Sequence, residues 1–521
     1  MIAILAITNM EAQQQVPRLV VYITVEQLRG DYIEYFYNTF GERGFKRLFN
    51  EGVVYSNVRF DFSNVEEGTA FATLFTGSNP CYHGISGNYV YNFEDEKEVS
   101  ILYDRDFLGN YTKDNYSPKH LYSSTVGDEL KIASKGQSSV YSIAPNPLAA
   151  ILSAGHAANG AFWIDDKNGK WATTTYYKDM PWYVDRYNNG PESLSARLDS
   201  MIWSPLLPLE RYNALPYVLD EIPFQHVFDK RSDSCYPELK SSPFVNKEIN
   251  RLALQFIEHG MLGTKDYPDI LAVTYYAGNF SKLMNKEYSY EIQDLYCQLD
   301  RDLEQLFDGI DKKVGLSQTL IVFCGSGYYK SEEDYSEGLS LNNGEFHPKR
   351  CVALLNMYLM ALYGQQTNWV TGYYNHQIFL NRKAIEDAKM DLAAVQVKAA
   401  NFVQEFAGVQ SVTTNTQLLL GDWNERTAEF RNGTHHLNRG DLIVTLQPGW
   451  RVIQDEKSKN VQLVRNNAVL TPLVFFGNGL SPQRIYREVK ATEIAPSVTH
   501  VLRIRPPNAS KEMPLKELTG R

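Results

Sequence analysis

The chain has 521 residues, 43% of them hydrophobic, enough to bury a large core. Its 51 basic and 61 acidic residues leave a net charge of -10 with no long basic run, which argues against nucleic acid or an anionic membrane as a partner. Five scattered cysteines (Cys81, Cys235, Cys297, Cys324 and Cys351) form no CxxC pair and provide neither a disulfide framework nor a zinc knuckle.

In chain order, Met1 to Ile7 is a short apolar run, followed by Asn9-Met10-Glu11-Ala12 and three glutamines. It reads as a secretory signal remnant over residues 1–16 that lacks a basic n-region, and predicts a periplasmic or secreted domain over 17–521. No other stretch approaches the ~20 apolar residues of a membrane span. Apolar, β-branched runs predict buried strands at 19–25, 270–275, 319–324 and 473–476. Between the second and third of these, Ile292, Leu295, Leu299, Leu303 and Leu306 repeat at helical spacing, so strand, helix and strand form a parallel unit. The pattern suits a mostly parallel sheet with helices on both faces. Two stretches, about 160–260 and 330–465, break the alternation and are expected to be insertions capping the C-terminal edge of the sheet. The first is rich in aromatic residues, among them Trp163, Trp171, Tyr176, Tyr177, Trp182, Tyr183 and Tyr187.

Several short segments carry more information than the periodicity. They include Val25-Glu26-Gln27-Leu28-Arg29-Gly30-Asp31-Tyr32, the Thr-Gly-x-x-Pro-x-x-His-Gly-Ile run from Thr76 to Ile85, Ala154-Gly155-His156, Leu299-Asp300-Arg301-Asp302-Leu303 and Arg505-Pro506-Pro507-Asn508. In this order they resemble the alkaline phosphatase superfamily, in its single-chain bacterial branch, akin to the nucleotide pyrophosphatase/phosphodiesterases. The resemblance spans roughly residues 19–518. It implies an α/β fold, a three-layer α/β/α sandwich with a mostly parallel central sheet. It also implies a site in which two zinc ions about 4 Å apart clamp the attacking and leaving oxygens of phosphoryl transfer.

The positions that the resemblance assigns to that site hold unsuitable residues. A ligating Asp at the end of the first strand is Glu26. The nucleophilic Thr or Ser falls at Glu67, or at Thr69 or Ser63 after a small register slip. One Asp-His ligand pair maps to Asn279 and Leu283, a second to Ser326 and Gly327, and a last His to Leu470. The phosphate-gripping Lys and Arg map to Asn146 and Leu148; only Asn88 matches the phosphate-contacting asparagine. Leucine and glycine side chains cannot coordinate zinc. The resemblance therefore implies no catalytic residue, no metal site and no cofactor.

Other constellations are weaker. Adjacent His435 and His436 cannot aim at one metal from a strand, because neighbouring side chains point to opposite faces. His83 and His156 read as hydrogen-bonded frame residues, and Gly325-Ser326-Gly327 lacks the Gly-x-Ser-x-Gly of a nucleophile elbow. Glu26 and Glu67 are a candidate carboxylate pair for a single cation or for acid–base work.

The expectation is a pseudo-phosphatase that binds a protein partner or small-molecule ligand in the cell envelope. Two alternatives stand beside it. One is an active metal-dependent phosphomonoesterase or phosphodiesterase with a rearranged zinc site. The other is a carbohydrate-binding module built on the aromatic set from Trp163 to Tyr187.

Overall fold

β-Branched and aromatic residues fill Leu19–Glu26, and all eight are buried, as a strand covered on both faces requires. In the computed structural model this is β1 of a ten-stranded sheet. The others are β2 (Val53–Arg59), β3 (Gly109–Asn110), β4 (Val140–Ala144), β5 (Gly160–Ile164), β6 (Trp171–Thr174), β7 (Asp269–Tyr276), β8 (Thr319–Gly325), β9 (Thr471–Gly477) and β10 (Gln483–Lys490). Their spatial order is β10-β2-β9-β8-β1-β7-β4-β5-β6-β3. The structure describes residues 15–92, 97–178, 180–212, 224–280, 289–330, 344–364, 367–421, 424–453, 461–464 and 468–519.

The middle of the sheet is parallel from β8 through β1, β7 and β4 to β5. The predicted strand at 473–476 is β9, and it runs antiparallel to both β8 and β2. The period-two alternation of β1 divides the core. Val21 and Ile23 pack on one face against Leu299, Leu303 and Phe256, while Val20 and Tyr22 pack on the other against Phe71, Phe75 and Ile151. The predicted amphipathic helix is Ser289–Lys313, which follows β7 and precedes β8. Together these make an α/β sandwich around one mostly parallel sheet.

A third core, centred on Leu355, Trp369, Ile378, Val403 and Val444, belongs to a separate four-stranded sheet. Its strands are Val370–Tyr374, Gln377–Leu380, Leu442–Leu446 and Val409–Thr414, in that spatial order. Residues 160–174 are not part of a cap: β5 and β6 continue the central sheet. Trp163, Trp171, Tyr177, Tyr183 and Tyr187 are buried and Tyr176 is half-buried, so among the described residues of this set only Trp182 stands well exposed, not the row of rings that a sugar platform would need. The signal segment, up to residue 14, lies outside the described residues. Among the described residues no helix is long and apolar enough to cross a membrane.

Candidate active site

Glu26 is the last residue of β1 and is buried at the C-terminal edge of the sheet. Its Oε1 accepts the hydroxyl proton of buried Tyr328 at 2.8 Å, and its Oε2 has no hydrogen-bond partner among the described residues. The chain then turns sharply. Gln27 sits in the left-handed region (φ 59°), where a non-glycine residue is strained, and its N–H donates to Ser326 Oγ at 3.0 Å.

Across the edge stand two helix N-termini, α1 (Glu67–Thr76) and α2 (Pro147–Ala154), which pack against each other. Glu67 is the first residue of α1, and its Oε1 accepts the Ala149 N–H of α2 at 3.3 Å. Asn88 caps α1 instead of standing free: its Oδ1 accepts the Gly68 N–H at 2.7 Å. Thr69 is fully buried; its hydroxyl accepts the Glu66 N–H at 3.0 Å and donates to the Asn64 carbonyl at 2.9 Å. A hydroxyl held this way is a structural cap and not a nucleophile, even if the register is shifted.

The two carboxyls interact. Burial first, and then the charge of Glu26, push Glu67 up to about 8, against the pull of Lys330, the Ala149 N–H and Lys240. Glu26 is likewise raised by burial, and the Tyr328 hydroxyl works the other way. Burial and mutual repulsion raise both carboxyls, so near neutral pH the pair holds a proton between them.

Among the described residues, the remaining positions that the resemblance assigns to zinc are engaged elsewhere or lack a donor side chain. Asn279 Oδ1 accepts the Tyr329 hydroxyl at 2.8 Å and Nδ2 donates to the Lys330 carbonyl at 3.2 Å. Ser326 is buried with its Oγ taken by Gln27. Gly327 adopts φ 74°, and a Cβ there would lie 2.0 Å from the Phe60 ring. Leu470 is 51% exposed, and Leu283 lies outside the described residues. Among the described residues no three His, Cys, Asp or Glu gather where a metal could sit. The donor set does not fit a zinc pair. Tyr328, which nothing in the spacing singled out, places its hydroxyl on Glu26 instead.

His83 and His156 are held within the frame. His83 Nδ1 accepts the Ile85 N–H at 3.2 Å, so Nε2 donates to Thr73 Oγ1 at 3.1 Å; burial pushes this imidazole down to about 3 and keeps it neutral. His156 Nε2 reaches the Leu121 carbonyl at 2.9 Å.

An open cleft of about 1050 Å³ lies over this edge, lined by Glu67, Asn146, Leu148, Trp163, Asp166 and Lys240 among others. Asn146 and Leu148 thus sit on the cleft wall, where the family's cationic grip is absent from their side chains. Sequence reasoning missed Lys240, because no spacing ties it to Asn146.

Residues 20–469 match the family model for type I phosphodiesterase / nucleotide pyrophosphatase. The chain belongs to this family. Alkaline phosphatase PafA from Elizabethkingia meningoseptica is 28% identical over 97% of this chain and 95% of its own length. The crystal structure of PafA matches with a TM-score of 0.81, covering 97% of this chain and 99% of that one. A Myroides odoratus protein named calcium-transporting ATPase is 28% identical over 96% of this chain and 94% of its own. Alkaline phosphatase PhoV from Synechococcus elongatus is 27% identical over 95% and 91%. These matches overturn the expectation of a pseudo-phosphatase with a binding role alone. Proteins named alkaline phosphatases share the fold and nearly the full length, and they favour the alternative of a phosphoric-ester hydrolase with a rearranged site.

Proposed function

We propose that this chain hydrolyses phosphoric esters in the cleft at the C-terminal edge of the sheet, with Glu67 as the proton donor and no resident zinc pair. Family membership and the names of the relatives support the reaction class. One observation carries the mechanism: Glu67, its carboxyl raised by burial and by neighbouring Glu26, stands where two helix N-termini and Lys240 face one cleft.

Each part has a role. The N-termini of α1 and α2 turn their positive dipole ends toward the cleft, which favours a phosphoryl anion, with the Gly68 and Ala149 N–H groups already taken by Asn88 and Glu67. Lys240 adds a full positive charge on the same wall. Water attacks phosphorus, and the ester P–O bond breaks as Glu67 gives its proton to the departing alkoxide oxygen. The carboxylate so formed takes the proton released by the attacking water, which restores the starting state. A donor with a pKa near the working pH is matched to this task.

The test uses p-nitrophenyl phosphate and bis(p-nitrophenyl) phosphate with the purified chain, with and without EDTA. The expected result is hydrolysis above the heat-denatured control that chelator leaves intact, with Glu67→Gln lowering hydrolysis of an alkyl ester such as glycerol 2-phosphate by about a hundredfold or more and of the p-nitrophenyl esters, whose leaving group departs unprotonated, far less. A wild-type rate equal to the control refutes the reading. We also propose a periplasmic or secreted setting, supported by the apolar run at Met1–Ile7. Cell fractionation with N-terminal sequencing tests it, and an unprocessed cytoplasmic chain refutes it.

A further inference from the structure

Lys240 is a lysine in the wrong place for an ordinary surface residue. It ends the short helix Cys235–Lys240 and is only 7% exposed, whereas lysines are rarely buried without a partner or a task. Its Nζ donates to Asn146 Oδ1 at 3.1 Å and pairs with Asp166 at 2.5 Å. Asn146 is the position at which the resemblance places the family's phosphate-gripping lysine. A cation missing from residue 146 is thereby supplied to the same side chain from residue 240.

The contact fixes more than charge. An ammonium only donates, so the Asn146 carbonyl must face Lys240, and the amide NH₂ is turned the other way. That NH₂ has no recorded acceptor among the described residues, and Asn146 lines the cleft. An ammonium has three N–H donors, and Asn146 and Asp166 take two of them. The partners also differ in mobility. The Asp166 side chain is 56% exposed, against 8% for Lys240, so the lysine is the fixed member of the pair and the aspartate the displaceable one.

We infer that Lys240 and Asn146 form a two-part phosphoryl grip, with Asp166 occupying the lysine until a phosphoryl oxygen displaces it. This rests on the hydrolase reading and names the residues that would bind its substrate. The grip is smaller than a Lys-Arg pair, because Leu148 adds no donor beside it.

The test is binding of inorganic phosphate to the full chain by calorimetry, a readout independent of turnover. Lys240→Met is expected to weaken phosphate by about tenfold or more, as loss of a charge-assisted hydrogen bond does, and Lys240→Arg to restore most of it. Asp166→Asn, which removes the competing carboxylate, is expected to tighten binding by about threefold or more. A purely structural role for the Lys240–Asp166 pair would not produce that gain. Unchanged phosphate affinity in a folded Lys240→Met, or weaker binding in Asp166→Asn, overturns the inference while leaving the hydrolase reading in place. A wild-type chain that binds no phosphate and turns over neither ester overturns both.

Discussion

Replacing Glu67 by glutamine should stabilise the protein and disable it at the same time. The side chain keeps its shape and its reach to the Ala149 N–H, but it no longer titrates. In the folded chain the Glu67 pKa is raised from 4.5 to about 8. The folded state therefore holds a proton that the unfolded state releases across that interval. Wild-type stability should then fall as pH rises from about 4.5 to about 8, and level off above it. At 1.36 kcal/mol per unit the full shift corresponds to about 5 kcal/mol. Glu67 borders an open cleft and shares the interaction with Glu26, so water screens it and about 1–3 kcal/mol is the working figure. The assay is urea unfolding of both proteins, followed by tryptophan fluorescence, at several pH values from about 5 to about 9. The variant should match the wild type near pH 5 and exceed it by about 1–3 kcal/mol near pH 9, with the same denaturant slope. Ester hydrolysis should fall in parallel, and wild-type kcat/KM should decline above about pH 8 as the donor ionises. A stability difference that does not change with pH would refute the protonated-Glu67 argument.

Three further outcomes follow from the same edge of the sheet. After equilibration with micromolar zinc, elemental analysis should find far less than one zinc per chain; stoichiometric zinc would mean that the ligand positions assigned to Asn279, Ser326 and Gly327 lie elsewhere. Thr69→Ala should cost about 1–2 kcal/mol through the lost cap yet leave kcat within about twofold, and a collapse of kcat would make Thr69 the nucleophile. Gly327→Ala should lower the thermal midpoint, by about 2–4 kcal/mol of stability, because it adds a Cβ at φ 74° directly against the Phe60 ring. An unchanged midpoint would show that the turn after β8 can relax.

Legibility in the sequence followed how local each signal was. β1 and the helix Ser289–Lys313 are visible as a buried β-branched run and as leucines at three- and four-residue steps, because each element carries its own period. The direction of β9 was not visible, since a short apolar run looks the same parallel or antiparallel. β5 and β6 were mistaken for cap structure because they are short and their tryptophans suggested a surface, whereas these rings fill the core at the sheet's flank. Glu26 and Glu67 were legible as a candidate pair only through the resemblance, which assigns both to the family's site, because their sequence spacing says nothing about their separation in space. Lys240 was not, since the fold alone brings it to Asn146. Thr69 carries a local signal of its own: a hydroxyl three residues after Glu66, at the start of a helix, is positioned to cap it.

The altered positions at this edge form a consistent set once charge is followed. Carboxylates gathered around two cations repel one another when the cations' ligands are gone, so Glu26 and Glu67 need another source of compensation. The fold provides three. Tyr328 puts a hydroxyl on Glu26, burial and repulsion keep a proton on Glu67, and Lys240 brings a positive charge to the wall beside Asn146. The proton and the lysine support each other: two ionised carboxylates would repel the phosphoryl group that Lys240 attracts, and an unprotonated Glu67 would have nothing to donate. Above about pH 8, where Glu67 ionises, a double variant, Glu67→Gln with Lys240→Met, should not lose phosphate affinity in proportion to Lys240→Met alone, because removing the ionised carboxylate also removes the anion that the lysine opposes. Strict additivity of the two effects on phosphate binding would show that the residues act independently and that the replacement of metal by proton and lysine is not a coupled one.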